Sequence, residues 1–384
     1  ASLVPWRSAA GVSNERLTQG AIRALRARIA LFRGGYSLRG AKSPYGNVMA
    51  RPADYKDFYR IARDECAEIM AKTTEHRLNP SFEFVFKEAI GKRTTDPSNE
   101  ILWEVGMSGG SSNFGDSKLG YYNGPRYNNT GNSALTILPS YFYSFDSTDK
   151  RRDVMCAPYN INSSMNLVAT PMQGMLDGKF RRDWNTVTTS AAQYFGVNWP
   201  MIRYSDVLLM FAEADNELNN GPSPAAIDAF EQVRERAYGG ASIGTTPTDY
   251  AGFFAALMKE RSLELGGEGI RKYDLIRWNK LNERITEVKA QLLAMANRTP
   301  PYDQLPQTMY YLPNQPKLNW YGSFYEPTPA TAPTGYSSVA WVGPAINTTI
   351  LTYYAINFVP NKKELLPFPQ SAIDVNNKLI QNAY

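Results

Sequence analysis

The strongest constraint on the fold is a pair of helical patterns between residues 198 and 240. In the first, apolar side chains recur at spacings of three and four residues, as on one buried helix face: Tyr204, Val207, Leu208, Phe211, Ala214 and Leu218. Residues 219–222 (Asn-Asn-Gly-Pro) end that pattern, and Ser223 followed by Pro224 is typical of a helix start. The second apolar face consists of Ile227, Phe230, Val233 and Ala237. An antiparallel helix pair of the tetratricopeptide kind is therefore predicted.

Similar patterns lie on both sides of this pair. The helix predicted over 17–33 has an apolar face formed by Leu17, Ala21, Ala24, Leu25, Ile29 and Phe32. The helix predicted from about Asp54 buries Phe58, Ile61, Ala62, Cys66 and Ile69, which makes Cys66 a core residue. A later helix has an apolar stripe of Phe253, Phe254, Leu257 and Leu265. These helices predict a mainly α fold with a tetratricopeptide-like helical scaffold.

The segments between the helices are typical of long loops with a few short strands. Residues 82–86 (FEFVF) and 100–107 (EILWEVGM) have strand character, and Trp103 is predicted to lie in the core. Gly, Asn, Ser and Pro dominate the other segments, where Tyr and Trp are interleaved. Four regions are therefore predicted: 1–75 helical scaffold, 76–200 loop-rich with short strands, 201–290 helical pair and following helices, and 291–384 loop-rich C-terminal segment.

The composition excludes several kinds of site. The chain has one histidine and two cysteines, so zinc clusters and histidine-based triads are not expected, and His76 is predicted to be a structural residue near a solvated helix end. The 41 basic and 36 acidic residues are scattered, which gives no argument for nucleic acid. Aromatic residues reach 12%, mostly Tyr. This balance favours binding by stacking and hydrogen bonding over proton-transfer chemistry.

Three segments of the sequence, taken together, resemble the SusD/RagB family of outer-membrane nutrient-binding lipoproteins of Bacteroidetes. They are RYSDVLLMFAEADNEL with AIDAFEQVRERA, then KERSLELGGEGIRKYDLIRW, and finally ELLPFPQSAIDVNNKLIQNAY. TQGAIRALRARIALFRGGY is similar to a helix that lies well inside the family's chains. The resemblance therefore suggests that the sequence corresponds to the later part of a longer protein.

The resemblance implies a non-enzymatic binding protein on the cell surface. It would capture an oligosaccharide or polysaccharide and pass it to a SusC-like TonB-dependent transporter. Attachment to the outer membrane would come from a lipid anchor on the N-terminal portion that this chain lacks. The resemblance implies no cofactor. Peptide cargo, as some relatives use, stays an alternative, because extended aromatic loops suit peptides as well as sugars.

The motif EGIRKYDLIRW concentrates charges and needs its own interpretation. Glu268 and Asp274 could serve as the acid and base of a glycoside hydrolase, which commonly uses two carboxylates. Each, however, has an arginine within three residues, and paired arginines lower carboxyl pKa values, the wrong direction for a general acid. A structural network of Glu268, Arg271, Asp274 and Arg277 is therefore predicted, with Glu260 and Arg261 as similar partners. A hydrolase would have to use loop carboxylates such as Asp116, Asp146, Asp149 and Asp183.

The candidate ligand-binding residues are aromatic rings in the loops. Sugar rings stack their C–H faces on Tyr and Trp, while their hydroxyls bond to amides and charged groups. Segments GYYNGPRYNN and NWYGSFYE supply both kinds of group. The predicted site consists of Tyr121, Tyr122, Tyr127, Trp320 and Tyr321, with no catalytic residue and no metal ligand. The competing interpretation is that these rings attach long loops to the scaffold.

Overall fold

The computed structural model describes residues 4–39, 48–109, 115–187, 193–240, 244–343 and 346–381. Its α-helices are α1 (Arg7–Ala10), α2 (Gln19–Gly34), α3 (Tyr55–Met70), α4 (Phe82–Phe84), α5 (Leu119–Asn123), α6 (Pro139–Phe142), α7 (Arg151–Met155), α8 (Tyr204–Asn219), α9 (Pro224–Ala237), α10 (Tyr250–Leu265), α11 (Arg271–Arg277), α12 (Leu281–Ala296), α13 (Thr348–Tyr353) and α14 (Gln370–Asp374).

The strands are short and antiparallel. They are β1 (Ser37–Leu38), β2 (Met49–Ala50), β3 (Ile101–Val105), β4 (Cys156–Ala157), β5 (Tyr159–Ile161), β6 (Leu167–Ala169), β7 (Leu176–Asp177), β8 (Trp199–Arg203), β9 (Thr308–Tyr311), β10 (Trp320–Tyr321) and β11 (Ser337–Ala340). The described pairs are β1–β2, β3–β8, β4–β7 and β5–β6, and one three-stranded sheet has the order β10-β9-β11. The predicted strand at 100–107 is confirmed as β3, where Trp103 is only half-buried.

Helix α8 is the centre of the first hydrophobic core. Every side chain from Tyr204 to Asn216 is buried, because α2, α3, α9 and α10 all pack against this helix. Ser223 caps α9 as predicted, since its Oγ accepts a hydrogen bond from the Ala226 backbone N–H at 3.3 Å. The predicted antiparallel helix pair and the mainly α scaffold are therefore confirmed.

Two local predictions were wrong. Helix α2 buries its alanine face, including Ala24 and Ala27, whereas Ile29 is 58% exposed. Small side chains allow α2 to lie close to its neighbours, so the larger residues of the predicted stripe face outward. Residues 82–86, predicted as a strand, are helical: α4 ends at Phe84 and is followed directly by a π-helical turn at Val85–Ile90. The buried positions in this segment recur at spacings of three and four: Phe82, Val85, Phe86, Ala89 and Ile90.

A second core lies under the loop-rich regions. Its central residues are large and aromatic, and they include Phe86, Phe142, Phe180 and Trp341. Methionines such as Met309 fill the spaces between these rings. The loops are therefore anchored by their own apolar side chains.

A buried network of charges joins the two cores. The Arg203 guanidinium lies 2.7 to 2.8 Å from carboxylate oxygens of Glu100, Glu264 and Glu268. The network is extended by the ion pairs of Arg151, Lys179 and Arg236. Burial alone would raise the pKa of the Glu268 carboxyl, but the charges of Arg203 and Lys179 outweigh it and hold that pKa below its ordinary value.

The same motif contributes a second buried cluster. Asp206 accepts hydrogen bonds from Arg28 and Arg261, and Asp274 accepts from Arg261 and Arg277. A structural role for Glu268, Asp274 and Arg277 is thus confirmed. The predicted partners were wrong in part. Glu260 pairs with Arg151, and Arg271 forms no ion pair with any described carboxylate.

The thiols and the histidine are all internal. Cys66 and Cys156 are buried and free, and burial raises both thiol pKa values. His76 is fully buried, which corrects the predicted solvated position; its Nδ1 lies 2.9 Å from the carbonyl oxygen of Asn99. Its other ring nitrogen packs against Gly20 of α2, where an added Cβ would lie 2.6 Å away. Burial lowers the His76 pKa to about 4.

Among the described helices, none is both long enough and apolar enough to cross a membrane.

Candidate functional site

The β10-β9-β11 sheet carries the predicted pair Trp320 and Tyr321 on opposite faces. Trp320 is paired with Tyr311, and Tyr321 with Tyr310, in antiparallel register. Side chains alternate along a strand, so neighbours in sequence face opposite sides of the sheet. Trp320 shares its face with Tyr311 and, two residues away, with the fully buried Met309. Trp320 and Tyr321 therefore do not form one continuous stacking platform.

Trp320 belongs to the edge of the second core. Its ring centroid lies 5.2 Å from that of Phe324 and 5.7 Å from that of Trp341. Phe324 and Trp341 stack on each other at 5.3 Å, and Trp341 Nε1–H donates to the Tyr143 hydroxyl at 2.9 Å. The half-buried Trp320 ring thus packs on an ordered aromatic cluster, and contact between Trp320 and a ligand stays a prediction.

Tyr321 lies on the outer face together with a tyrosine that the sequence did not single out. The ring centroids of Tyr321 and Tyr336 are 5.5 Å apart in an edge-to-face arrangement. Tyr321 is 39% exposed, and Tyr336 precedes β11 at the same end of the sheet. The alternation of residues 336–340 (YSSVA) was the available signal, but the surrounding Pro and Gly residues obscured it.

The other three predicted rings belong to α5 and the turn after it. Tyr121 and Tyr122 meet edge to face at 5.3 Å, and Tyr122 is 40% exposed. Tyr121 also packs near Phe195, 6.4 Å away. The Arg182 guanidinium lies over the Tyr127 ring at 5.2 Å. Tyr122 is therefore the outward ring of this group, while Tyr121 and Tyr127 are half-buried.

The β5–β6 hairpin lies between the two aromatic segments. On one edge, the Ile161 N–H donates to the Arg126 carbonyl at 2.8 Å. On the other edge, the Leu167 N–H donates to the Gln315 carbonyl at 2.9 Å. Tyr127 and Leu318 pack against the same small cluster, which includes Tyr159 and Ile161. The structure thus attaches both predicted segments to one hairpin, although their rings contact different partners.

The loop carboxylates proposed for a hydrolase have structural partners. Asp116 accepts hydrogen bonds from the backbone N–H groups of Ser117 and Gly196, at 2.7 and 3.1 Å. Asp149 is buried and paired with Arg151.

The other two carboxylates are engaged in the same way. Asp146 accepts from Thr148, and the backbone N–H of Thr148 is the main cause of its lowered pKa. Asp183 accepts from the Tyr159 hydroxyl at 3.2 Å. Asp116 and Asp146 are thus held in turns, Asp149 in an ion pair and Asp183 by a tyrosine hydroxyl.

Within the described ranges, no group of three or more His, Cys, Asp or Glu side chains is arranged to hold a metal ion.

Relatives share sequence with part of this chain. SusD-like protein P25 of Formosa agariphila is 34% identical over 144 residues, which cover 35% of this chain and 26% of that protein. SusD-like protein P38 of the same organism is 39% identical over 89 residues, 22% of this chain and 17% of that protein. These alignments thus span about a quarter of the first relative's length and less of the second.

Solved structures share the fold over nearly the whole chain. A SusD homolog from Bacteroides thetaiotaomicron matches with a TM-score of 0.72 and 22% identity, covering 99% of this chain and 67% of that one. Surface glycan-binding protein A of the same organism, in complex with laminarihexaose, matches with a TM-score of 0.60 and 18% identity, covering 100% and 67%. A laminarin-binding SusD-like protein gives 0.52 and 20%, covering 72% and 59%.

The model of the SusD family matches residues 161–384, more than half of the chain. That span includes the helix pair, the EGIRKYDLIRW motif with its buried charges, and the three-stranded aromatic sheet. The chain belongs to the SusD family.

Proposed function

We propose that this protein is a non-enzymatic, surface-exposed glycan-binding protein of the outer membrane. The observation that carries the proposal is the outward pair of rings, Tyr321 and Tyr336, on a sheet whose inner face is anchored to the core. Tyr122 is a third outward ring, on the other segment attached to the β5–β6 hairpin. Rigid, half-exposed rings suit the C–H faces of sugars because little conformational freedom is lost on binding.

Two of the structural neighbours support a saccharide ligand. One is in complex with laminarihexaose, and the other is named for laminarin binding. Asparagine and serine side chains near the rings, such as Asn319 and Ser323, supply hydrogen-bonding groups for hydroxyls. We therefore assign Tyr321 and Tyr336 the main stacking role and Tyr122 a second contact, with Tyr121, Tyr127 and Trp320 supporting them.

The glycan would pass to a SusC-like TonB-dependent transporter, and the protein would be held at the membrane by a lipid anchor. Membership of the SusD family is the support for both statements. A purified complex with such a transporter, isolated by affinity capture from outer membranes, tests the partner. Recovery of the chain free of any transporter would count against it.

The binding test compares Tyr321→Ala with Tyr336→Ala in calorimetric titrations against laminarihexaose and a panel of other oligosaccharides. Tyr273→Ala is the matched control, because Tyr273 is a half-exposed tyrosine on α11 in the helical half. Each ring on the sheet is expected to contribute about 1–3 kcal/mol, roughly a 5- to 150-fold change in Kd. Equal affinities for all three variants would contradict the proposed site.

The non-enzymatic role has a separate test. Prolonged incubation with a bound glycan should release no new reducing ends, because the loop carboxylates are engaged in hydrogen bonds or an ion pair. Glycan cleavage that a carboxylate substitution abolishes would show the hydrolase alternative instead. A peptide library in the same titrations decides between sugar and peptide cargo.

A further inference from the structure

A cavity of about 300 Å³ lies away from the aromatic sheet, between the 135–141 segment, the α10–α11 turn and α12. Its wall is mostly apolar and includes Leu135, Ile137, Met155, Val288 and Tyr354. Its size is at the lower end of small-molecule sites, which are about 300–1,000 Å³. Three ionisable side chains line it in addition to tyrosines: Asp177, Arg271 and Arg284.

Asp177 offers the cavity an unused acceptor. Its side chain is only 2% exposed, and its Oδ1 accepts a hydrogen bond from the Lys179 backbone N–H at 3.0 Å. Its Oδ2 is buried with no partner among the described residues. Gly267 lies beside it on the cavity wall, where a Cβ would come within 3.5 Å of Oδ2. Asp177 and Gly267 both line the cavity, and burial raises the pKa of Asp177 to about 6.

Arg271 lines the same cavity and carries the opposite charge to Asp177. Its Nη1–H donates to the Met258 carbonyl at 2.8 Å, and none of the described carboxylates forms an ion pair with it. The nearest acid of its own helix, Asp274, is occupied by Arg261 and Arg277. Burial is the main cause that lowers the pKa of Arg271 to about 10; the charge of Asp274 opposes this shift and that of Arg284 adds to it. A half-buried guanidinium without a carboxylate partner favours an anionic ligand.

The surroundings of Asp177 show which donor fits it. Arg181 lies close to it and donates only to neutral oxygens, those of Tyr159, Gly178, Asp153 and Val154. The positive charges of Lys179 and Arg181 already act on the Asp177 carboxyl. An ammonium group would be repelled by these cations, whereas a hydroxyl donates without adding charge. The complementary ligand therefore combines hydroxyls, an anion and an apolar face.

We propose that this cavity is a second site that binds one acidic sugar residue. The carboxylate or sulfate group of that residue lies on Arg271, a hydroxyl donates to Asp177 Oδ2, and the C–H face packs on Tyr354 and the aliphatic wall. Arg284, which is paired with Glu287, also lines the cavity. The proposal rests on the proposed function in its class of ligand, and it names the glycans that the protein would prefer.

The test titrates three matched tetrasaccharides: one containing glucuronate, the same chain with its carboxylates reduced to alcohols, and one carrying sulfate at the same position. The acidic forms are expected to bind about tenfold more tightly than the neutral form, since hydrogen bonds to charged groups are the stronger ones. Comparison of the two acidic forms identifies the anion. Arg271→Gln should abolish the preference, and Asp177→Asn should weaken the acidic and neutral forms alike, whereas Lys272→Gln, on the exposed side of α11, should change neither.

Leu135→Trp is a further variant, because Leu135 is 49% exposed at the cavity and a larger ring there fills the space with little effect on folding. It should remove the preference at an unchanged thermal midpoint. Equal affinities of the acidic and neutral forms overturn this proposal while leaving glycan binding intact. Failure of every tetrasaccharide, of laminarihexaose and of the oligosaccharide panel to bind contradicts the proposed function itself. Binding of a dipeptide that depends on Arg271 overturns the sugar assignment.

Discussion

The helical half and the aromatic half of this protein are stabilised in different ways. Around α8, charged side chains are buried and form ion pairs with one another, as Arg203 does with Glu264 and Glu268. Around the β10-β9-β11 sheet, rings pack on rings, and the outermost of them stay accessible. The ion-paired region therefore has few charged groups free to contact a ligand. The aromatic region has flat apolar surface beside polar groups.

This difference suggests separate roles for the buried charges and the outer rings. A charge buried with partners resists any change of protonation, because that change would leave its partner uncompensated. A half-exposed ring can lose water to a ligand at little cost. Ligand binding is therefore expected where rings are incompletely packed. A purely structural role is expected where every buried charge has a partner.

The largest expected effect comes from breaking the ionic half. Arg203→Ala leaves Glu100, Glu264 and Glu268 buried with too few cations, and it should lower the free energy of unfolding by about 3–5 kcal/mol. Urea denaturation measures this loss. Lys289→Ala, an exposed position on α12, is the control and should stay within about 0.5 kcal/mol. Near-equal midpoints for the two variants would show that the network adds no stability.

Acid should affect the helical half through His76. The neutral imidazole fits its buried site, so its pKa falls from an ordinary value of 6.5 to about 4. Because the folded-state pKa of this base is depressed, its contribution to the free energy of unfolding is complete above pH 6.5. That contribution is lost as the pH falls towards 4. A pKa difference of about 2.5 corresponds to about 3 kcal/mol.

Unfolding free energies measured from pH 7 to pH 4 check this expectation. The profile of His76→Gln should lack that component and be flatter by about 3 kcal/mol over the same range. Parallel profiles for the two proteins would show that another group causes the acid sensitivity.

Trp320→Ala sharpens the comparison within the aromatic half. Because the ring is half-buried against Phe324 and Trp341, its removal should cost about 1–3 kcal/mol of stability, less than a fully buried tryptophan. Thermal unfolding and glycan affinity are measured on the same sample. A lowered midpoint at unchanged affinity makes Trp320 part of the core. Lost affinity at an unchanged midpoint makes it a ligand contact.

Tyr122→Ala should have the smallest effect on folding. The side chain is exposed and touches mainly Tyr121, so the loss of stability should be about 0.5–1 kcal/mol. A Phe substitution at the same position keeps the ring and serves as the control. A fall in glycan affinity in Tyr122→Ala alone would extend the site to the second segment.

The helical scaffold was largely predictable from sequence, and the exceptions have physical reasons. Local periodicity decides the existence of α8 and α9, but α2 is oriented by how closely its alanines pack, which depends on distant neighbours. The strand-like residues 82–86 already carried a helical spacing of buried positions. Apolar and aromatic composition outweighed that spacing in the prediction.

The site was less predictable because long-range partners define it. Separating Trp320 from Tyr321 requires knowing that both belong to one strand beside β9. Arg271 was assigned to an ionic network by its distance in sequence from Glu268, whereas Glu268 takes its partners from Lys179 and Arg203. The carboxylate that Arg271 lacks, and the unused oxygen of Asp177, become visible only in three dimensions.

The β5–β6 hairpin has a consequence for ligand length. Because it is bonded to Arg126 on one edge and Gln315 on the other, the two aromatic segments are held without a flexible linker between them. A saccharide long enough to reach both segments binds the second at a high effective concentration, while a shorter one gains nothing from it. Affinity measured against chain length should therefore rise in a step, and the position of that step would measure the span between the two ring groups.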